Sequence, residues 1–109
     1  MLELFQTEWC PASHRVRERL TELGIDYVNR QVPVEPEART TLLRVTRSTI
    51  VPALVPDTGN AVVGEENILA YLAEHFAVPE AAEAQRAKAA KAQRRLLEEE
   101  CECLQRATR

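Results

Sequence analysis

The sequence predicts an α/β fold with a mixed four-stranded sheet in the order β-α-β-α-β-β-α, followed by one long C-terminal helix. Three observations carry this. Apolar or β-rich runs alternate with helix-periodic segments up to residue 46. Two further β-rich runs flank a strong turn signal at Pro56-Asp57-Thr58-Gly59-Asn60. Past Pro79, Gly and Pro vanish and eight of the last 30 residues are Ala, a strong helix former.

Leu2, Leu4 and Phe5 open a first strand that the Cys10-Pro11 pair stops, with Pro11 suited to the first position of a helix. Val16, Leu20 and Leu23 recur at i, i+4 and i+7, while Arg15, Arg17, Glu18, Arg19 and Glu22 take the other face. Gly24 is a C-terminal cap, and Ile25, Tyr27 and Val32 continue as a second strand, most simply parallel to the first through a right-handed crossover. Pro33 and Pro36 mark a loop before a short helix over residues 37 to 46. Residues 50 to 55 and 61 to 63 form a hairpin around the turn. Glu65 and Glu66 then place acidic charge at the start of a helix carrying Ile68, Leu69, Leu72, Ala73 and Phe76. Tyr71, Leu72 and Phe76 read as packing residues. These boundaries divide the chain into a domain over residues 1–78 and a helical extension over 79–109.

With 109 residues, the chain has room for one cored domain plus an appendage, and disulfide staples are not required. A net charge of -3 argues against a nucleic-acid binder held by a basic field. No apolar run approaches the ~20 residues of a membrane span. Met1-Leu-Glu-Leu-Phe5 lacks a basic segment followed by a long apolar stretch, so the expectation is a cytoplasmic protein.

Three cysteines, Cys10, Cys101 and Cys103, do not resemble a secreted disulfide framework. Cys10 stands at the mouth of the first helix, where free N–H groups and the helix dipole favour a thiolate. His14 and Arg15 one turn on could add positive charge, whereas Glu8 would oppose ionisation if it turned inward. Ser13 takes the place of the second thiol of a Cys-x-x-Cys pair, so a redox cycle would pass through a mixed disulfide with a small thiol or a partner protein. A structural cysteine at a helix cap is the alternative. Val51-Pro52 opens a β-rich run where a cis bond would leave the Val51 main chain exposed as a docking edge beside the first helix; a trans proline at a strand start is the plain alternative. Trp9 either flanks this groove or is an ordinary half-buried aromatic, and Arg44 and Arg47 read as solvated charge. On a helix Cys101 and Cys103 fall on opposite faces, Cys101 in a thin seam with Leu97 and Leu104 that suits docking on the domain or pairing with a second copy. No four-ligand metal site is expected.

Cys10-Pro11-Ala12-Ser13, the Leu23-to-Tyr27 segment, Val51-Pro52 and Gly64-to-Leu72 occur in an order that resembles the thioredoxin-fold glutaredoxins and the N-terminal domain of glutathione transferases. The resemblance covers residues 1 to 77. It implies a glutaredoxin-like monothiol thiol–disulfide oxidoreductase, with glutathione or a related low-molecular-weight thiol as co-substrate, disulfide-containing proteins as partners, and no tightly bound cofactor. It implies Cys10 as the nucleophile, Ser13 as hydrogen-bond donor to the thiolate, and Pro11, Val51, Pro52, Glu65, Glu66 and Asn67 as the thiol-ligand site. The chain departs from the families at Gly64-Glu65, where transferases usually place Glu then Ser, and at Val63, where glutaredoxins often have Gly. Two carboxylates would attract a γ-glutamyl ammonium and repel its carboxylate. A transferase would continue into an all-helical domain, so one further helix points to a stand-alone glutaredoxin-like protein, possible as a homodimer through that helix. The alternatives are a non-catalytic binding or dimerisation module and a minimal transferase-like protein. Some monothiol relatives hold an iron–sulfur cluster, but with Cys-Gly-Phe-Ser in place of Cys-Pro-Ala-Ser.

Overall fold

The computed structural model describes residues 1–79 and 82–107, with side chains among 85 and 99–107 outside that description. The chain separates into two compact units, Met1–Val78 and Pro79–Arg109.

The first unit runs β1 (Leu2–Gln6), α1 (Pro11–Glu22), β2 (Tyr27–Gln31), a 3₁₀ turn at Pro36–Ala38, α2 (Thr40–Thr46), β3 (Ala53–Val55), β4 (Val62–Val63) and α3 (Glu65–His75). The sheet order is β2-β1-β3-β4. β1 pairs parallel with β2, Leu4 opposite Asn29, and antiparallel with β3, Leu4 opposite Leu54. β3 and β4 form the hairpin. This is the mixed sheet of a thioredoxin-like fold.

Strand alternation divides the core between the two sheet faces. Leu4 and Leu54 point to one face, where Val16, Leu20 and Leu23 of α1 meet Ile68 and Leu72 of α3. Tyr71 and Phe76 pack against the edge of that cluster. Phe5 and Ala53 point to the other face and meet Val32 and Leu42 of α2. Each fully buried leucine is worth about 1.5–3 kcal/mol in transfer free energy, so the helical stripe of α1 is what clamps it to the sheet. Leu23 caps the C-terminus of α1, its N–H donating to the Arg19 carbonyl, and Gly24 follows with φ 68°.

Three elements depart from their expected extents. The helix expected over 37 to 46 is split, because Arg39 has non-helical angles (φ -83°, ψ 57°) and spends its guanidinium elsewhere. That guanidinium donates to the carbonyls of Pro33, Val34 and Thr49 at 2.8, 2.9 and 2.7 Å. It thereby ties the loop before α2 to the loop that follows it. The third strand starts at Ala53, not Ile50, since residues 50 to 52 form the approach to a cis Val51–Pro52 bond. Val32 lies beyond the end of β2, although it is buried.

The second unit is α4 (Ala82–Ala107). Among the described residues, no helix is long and apolar enough to cross a membrane.

Candidate functional site

Cys10 is the N-cap of α1, and Pro11 occupies the first helical position, where its missing N–H costs nothing. The Thr7 carbonyl accepts from the Cys10 N–H at 3.3 Å, and the Cys10 carbonyl accepts from the His14 N–H at 3.0 Å. The sulfur therefore takes the capping role a serine or aspartate oxygen usually fills: the Ser13 N–H donates to Cys10 Sγ at 3.4 Å.

This placement shifts the thiol. Partial burial pushes its pKa up, but the Ser13 hydroxyl, the Ser13 and Ala12 N–H groups and the Arg15 charge together outweigh burial, so the thiol lies below its ordinary value. The Ser13 hydroxyl is fully buried beside the sulfur and makes no well-formed hydrogen bond. A buried hydroxyl without an acceptor is costly, and charge on the neighbouring sulfur supplies one.

The first turn of α3 lies across from α1. Arg15 Nη2 donates to Glu65 Oε2 at 2.8 Å, and its Nε donates to Oε1. The Arg15 guanidinium holds the Glu65 carboxyl below the usual carboxylate range. Glu65 is thus a neutralised carboxylate, and Arg15 is a cation shared between it and Cys10. Glu66 is exposed. The Asn67 amide donates to the Val63 carbonyl at 2.9 Å, anchoring α3 to β4. Gly64 caps α3 with φ 93° and ψ 149°, a region side chains rarely adopt, and its N–H donates to the Pro52 carbonyl at 2.9 Å. The start of α3 therefore touches both other parts of the site: the cis-proline loop through Gly64 and the cysteine helix through Glu65.

Of the residues expected at the site, Cys10 and Ser13 are brought together, and Glu65 is joined to α1 through Arg15. Val51 is half-buried and Pro52 is fully buried at the cis bond. Trp9 is 75% exposed, so it is not a half-buried aromatic. Arg47 caps α2 in the left-handed region, with φ 60°. Glu8, which would oppose the thiolate if turned inward, instead lies 3.5 Å from Arg17. His14 directs Nε2 to Glu18 at 3.8 Å and Nδ1 to Arg17 at 3.4 Å. Arg17 and Arg39 are organising residues that the sequence does not single out, because each joins partners that no periodicity relates. On α4, Leu96 and Leu97 are exposed, whereas the side chains of Cys101, Cys103 and Leu104 lie outside the described residues. Among the described residues no group of three or more His, Cys, Asp or Glu is placed to hold a metal ion.

A cysteine-capped first helix and a cis-proline before the third strand, on this sheet order, define a thioredoxin-like domain. A family model for the glutathione S-transferase N-terminal domain matches residues 4–103, and the chain belongs to that family. It is similar in structure to a glutathione S-transferase from Sinorhizobium meliloti 1021, with 30% identity, a TM-score of 0.62, and coverage of 70% of this chain and 32% of that one. A glutathione S-transferase domain-containing protein from Marinobacter aquaeolei VT8 gives 28% identity and a TM-score of 0.60 over 71% of this chain and 40% of that one. A buckwheat glutaredoxin in complex with glutathione shares the fold, with 21% identity and a TM-score of 0.55 over 67% of this chain and 68% of that one. This chain thus spans well under half the length of the two transferase structures. No curated protein matches.

Proposed function

We propose that this domain binds glutathione and exchanges it through a mixed disulfide at Cys10. The observation that supports this most is the capped, partly buried sulfur with its pKa lowered, beside an Arg15–Glu65 pair. A γ-glutamyl group carries an ammonium and a carboxylate on one carbon. On binding, Glu65 would take the ammonium and Arg15 the carboxylate in exchange for their contact with each other, which answers the repulsion expected from two adjacent glutamates. Val51 and Pro52 supply the edge for the tripeptide main chain, Pro11 fixes the helix start, and Glu66 lies at the rim.

The exchange balances in two steps. The Cys10 thiolate attacks the glutathionyl sulfur of a mixed disulfide; the S–S bond breaks, a Cys10–glutathione disulfide forms, and the substrate thiolate leaves and takes a proton from water. A second glutathione, as thiolate, then attacks the adduct, regenerating the Cys10 thiolate and releasing oxidised glutathione. Ser13 stabilises the thiolate at both ends but has no sulfur with which to resolve the adduct, so the second thiol comes from solution. A reducing cytoplasm would hold Cys10 in the form this cycle starts from.

Mass spectrometry of the protein after incubation with oxidised glutathione tests this. A single adduct of glutathione mass on Cys10, removed by reduced glutathione and absent in Cys10→Ser, is expected. No adduct, or adducts on Cys101 and Cys103 alone, would overturn it. Family membership favours a second reading, in which the same site presents glutathione thiolate to a small electrophile. Ser13 is too buried to serve there, so Cys10 would face the glutathione thiol in that reading. Conjugation of a model electrophile without reduction of a glutathionylated peptide would select this reading.

A further inference from the structure

Arg17 lies on the polar face of α1, about two turns past Cys10, yet its side chain is only 16% exposed. It is engaged on three sides. One guanidinium nitrogen donates to Oε1 of Gln6, the fully buried last residue of β1. The other lies 3.4 Å from His14 Nδ1 and 3.5 Å from the Glu8 carboxylate. Gln6 in turn donates through Nε2 to Gln31 Oε1 at 2.9 Å. A chain of side chains thus runs from the end of β2 through the end of β1 to α1, and closes on the loop that delivers Cys10.

We propose that Arg17 is a positioning residue for Cys10: it holds the Glu8 carboxylate, two residues from the sulfur, in an ion pair. Glu8 is two residues from Cys10 and exposed, so nothing but Arg17 directs it among the described contacts. The other charges facing the thiol are Arg15 on α1 and, across from α3, Glu65 already held by Arg15. His14 and Glu18 are directed to each other and to Arg17. Removing Arg17 would leave the Cys10 loop with one unpaired anion, and the thiolate, the form that carries out the proposed exchange, would be disfavoured. This inference rests on the proposed chemistry of Cys10, but its readout is a difference between variants, so it fails separately from that proposal.

The test is the pH profile of Cys10 alkylation in four full-length proteins. Arg17→Gln should move the midpoint upward and slow alkylation at pH 7 about threefold, as expected for one anion several ångströms away in a largely aqueous dielectric. Arg17→Lys, which keeps the charge, should stay near wild type. The pair Glu8→Gln with Arg17→Gln should return the midpoint to wild type, because the freed anion is gone. Arg17→Gln also strips Gln6 of a buried hydrogen-bond partner and so lowers stability, and Glu8→Gln does not repair that loss. Recovery of the pH profile without recovery of stability therefore separates positioning from a purely structural role. An unchanged midpoint in Arg17→Gln, or a raised one that Glu8→Gln leaves raised, would overturn the inference.

Discussion

Residues 1–78 and the helix that follows are built on opposite terms. In the first unit, groups far apart in sequence hold one another: Arg15 with Glu65, Arg17 with Gln6, Arg39 with the Thr49 carbonyl, and Leu4 and Leu54 under two helices. In α4, Ala82 is the one buried residue among those described, and Leu96 and Leu97 stand exposed. The first unit therefore specifies a site by long-range contacts, whereas α4 is rich in alanine, a strong helix former. A substitution that is severe in one should be nearly silent in the other.

The largest contrast expected is between two leucines. Leu20→Ala empties a fully buried position and should cost about 2–5 kcal/mol in denaturant unfolding of the full chain. Leu97→Ala removes an exposed side chain and should change it by less than ~0.5 kcal/mol. A comparable loss from both would mean that α4 is part of the same cooperative core.

Gly64→Ala comes next. Open space surrounds the position, so only the backbone resists, and φ 93° should cost roughly 1–3 kcal/mol. Thermal unfolding would show this, and since Gly64 bonds Pro52, glutathione adduct formation on Cys10 should slow as well.

Ser13→Ala should split stability from reactivity. Deleting a buried hydroxyl that has no partner in the resting protein should leave stability unchanged or raise it by up to about 1 kcal/mol. The same change removes a donor to the thiolate, so alkylation of Cys10 at pH 7 should slow in proportion to the lost thiolate. Loss of stability with unaltered alkylation would show that Ser13 packs without serving the sulfur.

The smallest effect is expected from Glu65→Gln. The folded-state pKa of Glu65 is lowered, so its pairing with Arg15 stabilises the fold fully above the ordinary carboxylate value of about 4.3 and is lost as pH falls through the lowered one. The variant should therefore flatten the acid limb of stability against pH and leave neutral stability almost unaltered, as befits a surface ion pair.

The same contrast explains what was legible in the sequence. Periodicity places Val16, Leu20 and Leu23 against the sheet, and Cys10-Pro11 at the head of a helix is a local signal with a local cause. Val51-Pro52 is readable as a turning point because proline cannot join a ladder. The organising arginines are not readable in this way. Arg15 and Glu65 are 50 residues apart, and Arg39 breaks the expected helix by bonding three main-chain carbonyls rather than by any propensity of its own. Trp9 looked equally suited to burial because exposure depends on what the fold brings beside it. A pattern of residue types records which face is apolar; it does not record which of many exposed cations finds which acceptor.

The central claim is that the fold ionises Cys10. Peptide-resolved alkylation of Cys10 against pH, measured in the native protein and again in the same protein unfolded in urea, tests it most directly. The native midpoint should lie below the unfolded one, which serves as the reference for an ordinary thiol near ~8.5. A native midpoint equal to or above the unfolded value would contradict the account, because the helix start, Ser13 and Arg15 would then do nothing for the sulfur they surround.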